Sequence, residues 1–194
     1  MFSIRHAVFT SVLIFSVHQT TSLGVKNSQV ESQCLDYFAT GEIFDLAELP
    51  GQVYAVYFWP PKQRQRDSCE SIRFRALSRE EATQRVSQCN EIDVSPSETM
   101  ISATYTTNVG KSAELLYYGA GEVKSMYRAC DKTIAKYIFK KVNDNYVLGI
   151  NCSAGGRGVL LSRFLSSVSE VQSVVDGIEI MSGREGSPDC SLRR

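Results

Sequence analysis

The chain has 194 residues, 43% of them hydrophobic and 22% charged, with 13 Gly and 5 Pro; this fits one ordinary globular domain and excludes a large multidomain enzyme, a collagen-like repeat and a disordered polymer. Its 21 Lys and Arg balance its 21 Asp and Glu, so nothing here offers the basic footprint that a nucleic acid or an anionic membrane surface requires. In chain order, the first element reads as a label. Arg5 and His6 precede an uncharged stretch from Ala7 to Val17, and the small residues Ser22 and Gly24 follow, which is the pattern of a secretory signal peptide over 1–24. The apolar stretch falls short of the roughly 20 residues a membrane-crossing helix needs. The mature chain, 25–194, is therefore expected to be a single secreted, extracellular domain without a membrane span.

Both histidines, His6 and His18, lie in that leader. A mature chain without imidazole has no Ser-His-Asp or Cys-His catalytic set and no His-ligated zinc or haem. The cysteines are Cys34, Cys69, Cys89, Cys130, Cys152 and Cys190, an even number in a secreted chain, which reads as a disulfide framework whose pairing spacing alone leaves open. None forms a Cys-x-x-Cys pair, so no metal or redox motif is expected.

Gln52 to Trp59 is rich in β-branched and aromatic residues and ends at Pro60-Pro61, a strand with a hard stop. Ser71 to Ala76 alternates Ile72, Phe74 and Ala76 with polar neighbours, the period of a sheet with one wet face. Further strands are expected at Thr83 to Val94, Thr99 to Thr107, Ala113 to Tyr118, Glu122 to Ala129, Ile134 to Lys141, Tyr146 to Cys152 and Val159 to Arg163, with one segment too many for a simple barrel expected between Lys111 and Lys132. Turn residues separate them at Ser95-Pro96-Ser97, Asn108-Val109-Gly110, Gly119-Ala120-Gly121, Asn143-Asp144-Asn145 and Gly155-Gly156. Gly110-Lys111-Ser112 ends like a phosphate loop but has strands on both sides, and reads as a hairpin turn. Asn151-Cys152-Ser153 is formally a glycosylation sequon whose central residue is one of the framework cysteines. Last comes a helix: Ser167 and Glu170 form a capping-box pattern, followed by Val168, Val171, Val174, Val175 and Ile178 at helical spacing, with Gly177 as its stop. Antiparallel strands followed by one amphipathic helix predict an all-β sandwich or up-and-down barrel with the helix packed on its outside.

Three segments in this order resemble the lipocalins, in particular the insect bilin-binding, insecticyanin-type members. Phe44-Asp45-Leu46 and Leu49-Pro50-Gly51-Gln52-Val53 are similar to the family's opening segment and its Gly-x-Trp motif, with Val53 standing where the family carries tryptophan. Asn143 to Cys152 is similar to its Thr-Asp-Tyr region, and Val159 to Arg163 to its last strand and closing arginine, Arg163 here lacking the indole it ordinarily covers. The resemblance implies an eight-stranded antiparallel up-and-down barrel with a C-terminal α-helix. It also implies the bridges Cys34–Cys152 and Cys69–Cys190, which leave Cys89–Cys130 as a third.

For function the resemblance implies a barrel cavity holding one small hydrophobic molecule, such as a bilin or other pigment, a retinoid or a fatty acid, for carriage or sequestration without chemistry and with no required cofactor. If Val53 points inward, the period of two puts Ala55, Tyr57 and Trp59 on the same inward face, where the two aromatics could stack on a flat ligand. Lys62, Arg64 and Arg66 in the first hairpin loop would form a cationic rim for a carboxylate. The alternative is a protein-binding lipocalin of the salivary inhibitor type, its cavity filled and its mouth loops holding a protein partner.

Overall fold

The computed structural model describes residues 34–38, 41–49, 51–62, 67–89, 98–106, 112–119, 123–128, 135–188, 190 and 192. The leader 1–24, Arg64, Arg66 and Cys130 lie outside the described residues. A helical turn at 34–38 (α1) and a short strand, β1 (Glu42–Ile43), lead to a 3-10 turn at Leu46–Glu48. Eight strands follow: β2 (Gly51–Trp59), β3 (Glu70–Ala76), β4 (Met100–Thr106), β5 (Ser112–Tyr118), β6 (Val123–Arg128), β7 (Ala135–Lys141), β8 (Tyr146–Asn151) and β9 (Arg157–Ser162). Each pairs antiparallel with the next, and β9 returns to β2. The result is a closed eight-stranded up-and-down barrel, an arrangement that leaves no sheet edge among its members. Outside it, β1 adds to β7 and β10 (Ser187–Pro188) adds to β2.

One helix lies where the sequence reading has a strand. Arg79–Ser87 is α2, overlapping at 83–87 the segment Thr83 to Val94 expected to be extended, and it removes the surplus strand, which was expected further along the chain. The local signal is a complete capping box: Ser78 Oγ accepts from Glu81 N–H at 3.2 Å while Glu81 Oε2 accepts from Ser78 N–H at 2.9 Å. Behind it, Arg-Glu-Glu-Ala-Thr-Gln-Arg is rich in helix formers. The second helix, α3 (Val168–Asp176), stands where expected, with Ser167 Oγ accepting from Glu170 N–H and Gly177 at its C-cap. Val171 and Ile178 are buried beneath it as the spacing predicts, but Val168 is exposed. No helix among the described residues is long and apolar enough to cross a membrane.

Alternation along the strands divides the apolar side chains into three cores. The barrel interior gathers Val53, Ala55, Phe74, Ile101, Tyr117, Phe139, Val147 and Leu161, with Phe44, Leu46 and Leu49 beneath. A second core lies outside β2, β7, β8 and β9 and is covered by α1, α3 and the C-terminal segment; it contains Tyr57, Trp59, Leu148, Ile150, Leu160, Val171 and Met181. A third, Met100, Leu116, Tyr127 and Cys89, lies under α2. Two disulfides staple the covering segments to the barrel, Cys34–Cys152 and Cys69–Cys190, as the resemblance implies. Cys89 is disulfide-bonded as well; its expected partner Cys130 is outside the described residues.

The α2 cap makes a pH prediction. Hydrogen bonds from Arg75, at 2.9 Å, and from Ser78 N–H hold the Glu81 carboxyl down at about 2, against its usual 4.5. A carboxyl depressed on folding adds stability that is complete above its unfolded value and disappears as pH falls through its folded one. The contribution should therefore be whole above pH about 4.5 and fade toward pH about 2. NMR titration of the Glu81 carboxyl should give a midpoint near 2, and Glu81→Gln should abolish the step; a midpoint at the ordinary value would refute the cap.

Candidate ligand-binding site

One end of the barrel is sealed. Asp45 caps the 3-10 turn by accepting from Ala47 N–H at 3.0 Å, and this presses Phe44, Leu46 and Leu49, all buried, against the base of the interior. Lys124 locks the plug from within. Its side chain is 1% exposed, and its ammonium reaches Asp45 Oδ1 at 3.1 Å and donates to Gly119 O at 2.8 Å, so the buried charge is both paired and hydrogen-bonded as burial demands. Above the plug, Phe74, Tyr117 and Phe139 form a floor. Tyr117 sets its edge against Phe139, at 5.7 Å between ring centres, and against Tyr137, at 5.9 Å, while Tyr137 stacks on Phe139. Burial, with Tyr137 and Tyr105 nearby, pushes the Tyr117 phenol well above its usual range, so it stays protonated and able to donate.

Higher up, Met126 and Ala135 remain buried but the other inward residues become partly accessible. Phe58, Ile72, Tyr105, Leu115, Tyr137 and Val159 are half-buried, whereas the floor beneath them is buried. By cross-strand register, Ile72 faces Tyr105, Phe58 faces Val159, and Tyr137 and Arg157 flank Asn151. Above the buried floor, these half-buried side chains line a bowl. It opens toward the loops that follow β2, β4, β6 and β8. Lys62 lies at that rim, its ammonium 3.4 Å above the centre of the Phe58 ring.

The expected face of β2 is split. Val53 and Ala55 point into the barrel, but the ladder with β9 slips one residue between Ala55 and Tyr57, leaving Val56 as a β-bulge. A bulge inserts one residue and reverses the side-chain alternation beyond it. Val56, Tyr57 and Trp59 consequently join the outer core, and Phe58 takes the inward position. Tyr57 and Trp59 thus do not share the interior with Ala55, correcting the uninterrupted period of two. Burial, and then Asp176 of α3, raises the Tyr57 phenol. Trp59 borders an outer pocket with Pro60, Gly156 and Arg184. There Arg184 donates to Gly156 O at 2.6 Å and to the Tyr37 hydroxyl at 2.9 Å. Gly156 has φ +73°, and any side chain on it would overlap the Tyr37 hydroxyl, which fixes glycine at this turn.

Gly51 opens β2 at φ +94°. Arg163 is exposed and donates to Asp144 O at 3.0 Å across the β7–β8 turn, at the sealed end where Val53 is buried. The sequon nitrogen, Asn151 Nδ2, the atom a glycan would need, donates to the Tyr137 hydroxyl at 3.2 Å, and the neighbouring Cys152 is in its disulfide. No set of three or more His, Cys, Asp or Glu side chains able to hold a metal occurs among the described residues. Sequence reasoning missed Lys124, Tyr117, Tyr137, Phe139, Asn151 and Arg157. Their signal was the alternation along β5 to β9, unreadable until the pairing partners fixed which face is inward. No family model matches this chain, and no curated protein matches it.

Proposed function

We propose that this is a secreted, non-catalytic lipocalin-like carrier that takes a small hydrophobic molecule into the upper half of its barrel. The reading rests on one observation: the inward side chains in the lower half of a closed eight-stranded barrel are buried, whereas Phe58, Ile72, Tyr105, Leu115, Tyr137 and Val159 in the upper half are only half-buried, with Met126 and Ala135 closing one side. A bowl lined by aromatic and aliphatic side chains, with a few polar groups converging at one side, is the usual form of a small-ligand site. The filled floor favours a compact ligand, or the end of a longer one, over a molecule buried along the whole barrel axis. Lys62 at the rim gives a weak pull on an anionic head. Bilins and other pigments, retinoids and fatty acids are the classes to try. The protein-binding alternative places its contacts on mouth loops that include 63–66 and 107–111, outside the described residues. Exposed Phe164, Leu165 and Val168 lie at the opposite, sealed end.

The test is uptake of a polarity-sensitive dye, displaced by apolar competitors, with mass spectrometry of an organic extract of the purified protein. Trp59 lies in the outer core, so its fluorescence is a poor reporter of the bowl. Leu115→Trp puts a larger ring on the inner wall and should weaken dye binding at least about tenfold, roughly 1.4 kcal/mol, while Trp59→Phe should leave it unchanged. A protein that takes up no dye and yields no extractable ligand would overturn the carrier reading.

A further inference from the structure

One buried polar atom in the bowl has no partner among the described residues. Asn151 ends β8, with Tyr137 opposite it on β7 and Arg157 opposite it on β9, and directly opposed side chains lie next to one another on one face. Asn151 Nδ2 donates to the Tyr137 hydroxyl at 3.2 Å, but Asn151 Oδ1 is buried and accepts from no donor among the described residues. A buried acceptor without a donor costs free energy that a leucine at the same place would not, and an isolated native exception of this kind calls for a cause. The Tyr137 hydroxyl, having accepted from Asn151, keeps its own hydrogen to give. Arg157 is exposed at the rim beside it and close enough to act electrostatically on the Tyr137 phenol.

Taking the carrier reading as its premise, we propose that the bowl selects an apolar ligand whose head carries an O–H or N–H donor next to a carboxylate. The donor answers Asn151 Oδ1. The carboxylate accepts from the Tyr137 hydroxyl and lies against the Arg157 guanidinium, a planar fork suited to it. The apolar body rests on Leu115, Ile72 and the floor. A plain fatty acid would satisfy the cation and leave Asn151 Oδ1 unanswered, so the site discriminates on the donor.

Calorimetric titration of the mature chain with 2-hydroxy-4-phenylbutyrate, 4-phenylbutyrate and 4-phenyl-1,2-butanediol separates these contacts on one apolar body. The hydroxy acid should bind about tenfold more tightly than the plain acid, the usual worth of one hydrogen bond at a buried group. Asn151→Leu should erase that preference and raise the Tm of the unliganded protein, because it removes the orphaned acceptor; an amide needed only for structure would lower the Tm instead. Arg157→Gln should weaken both acids severalfold and leave the diol as it was. Equal affinity for the two acids in the wild type, or a preference that survives Asn151→Leu, overturns the proposal. If the dye enters but none of the three probes binds, the donor-plus-carboxylate inference falls and the carrier reading stands. If neither dye nor probe enters, the carrier reading has failed and this inference falls with it.

Discussion

Phe139→Ala will lower the unfolding free energy by about 3–5 kcal/mol, the range for deleting a buried ring from a packed core, and will deepen the bowl. Phe139 is 2% exposed and lies across the sheet from Gly149. A side chain on Gly149 would come within 3.0 Å of the Phe139 ring, so the ring occupies the space that glycine leaves. It also receives the edge of Tyr117 and the face of Tyr137, contacts worth something beyond their buried area. Neighbouring side chains cannot collapse into the hole, because the strands that carry them are held in a closed ring of backbone hydrogen bonds. Urea denaturation should show the loss. A series of alkyl carboxylates should shift its optimum to longer chains as the floor opens. A loss below about 1 kcal/mol would mean that the floor is not the filled layer described.

Cys34→Ala with Cys152→Ala should cost about 4 kcal/mol, close to the loop-closure estimate for a bridge of this span. The two residues are 118 positions apart and fully buried in the outer core. Apart from the bridge, α1 is held among the described residues by burial of Tyr37 in the outer core, by the Tyr37 hydroxyl meeting Arg184, and by Lys140 donating to Phe38 O at 3.3 Å. The double variant should therefore unfold at lower denaturant with a larger m-value, because the unfolded chain loses a cross-link and exposes more surface, and limited proteolysis should cut first near residue 38. The Cys69–Cys190 bridge, spanning 121 positions, remains to hold the C-terminal segment against β2. An unchanged denaturation midpoint would show that α1 is not part of the cooperative unit.

The strands were legible because each is a short run with its own alternation and a turn residue at its end, and these are local properties. Gly155 and Gly156, with φ +65° and +73°, turn the chain from β8 into β9 where the glycine pair predicts a turn. The helix over Arg79–Ser87 was legible too, through the same Ser-x-x-Glu pattern that marks α3. Reading Thr83 to Val94 as a strand set the composition of its second half above a cap that precedes it. The candidate site was harder, because inwardness is a property of a pair of strands rather than of one. Lys124 looks like any strand lysine until Asp45, far away in sequence, is brought to 3.1 Å from it.

By itself the sequence determined an antiparallel all-β chain with one late amphipathic helix and a cysteine framework, since hydrophobic period, turn chemistry and caps are written over a few neighbouring residues. Which aromatic residues face the interior was decided only when β2 met β9. The slip between Ala55 and Tyr57 inserts one residue against the partner strand, and a period of two cannot register an insertion that exists only relative to that partner. Tyr57 and Trp59 went to the outer core for that reason, Phe58 turned inward, and the polar edge of the bowl came from Tyr137, Asn151 and Arg157, which three different strands bring together.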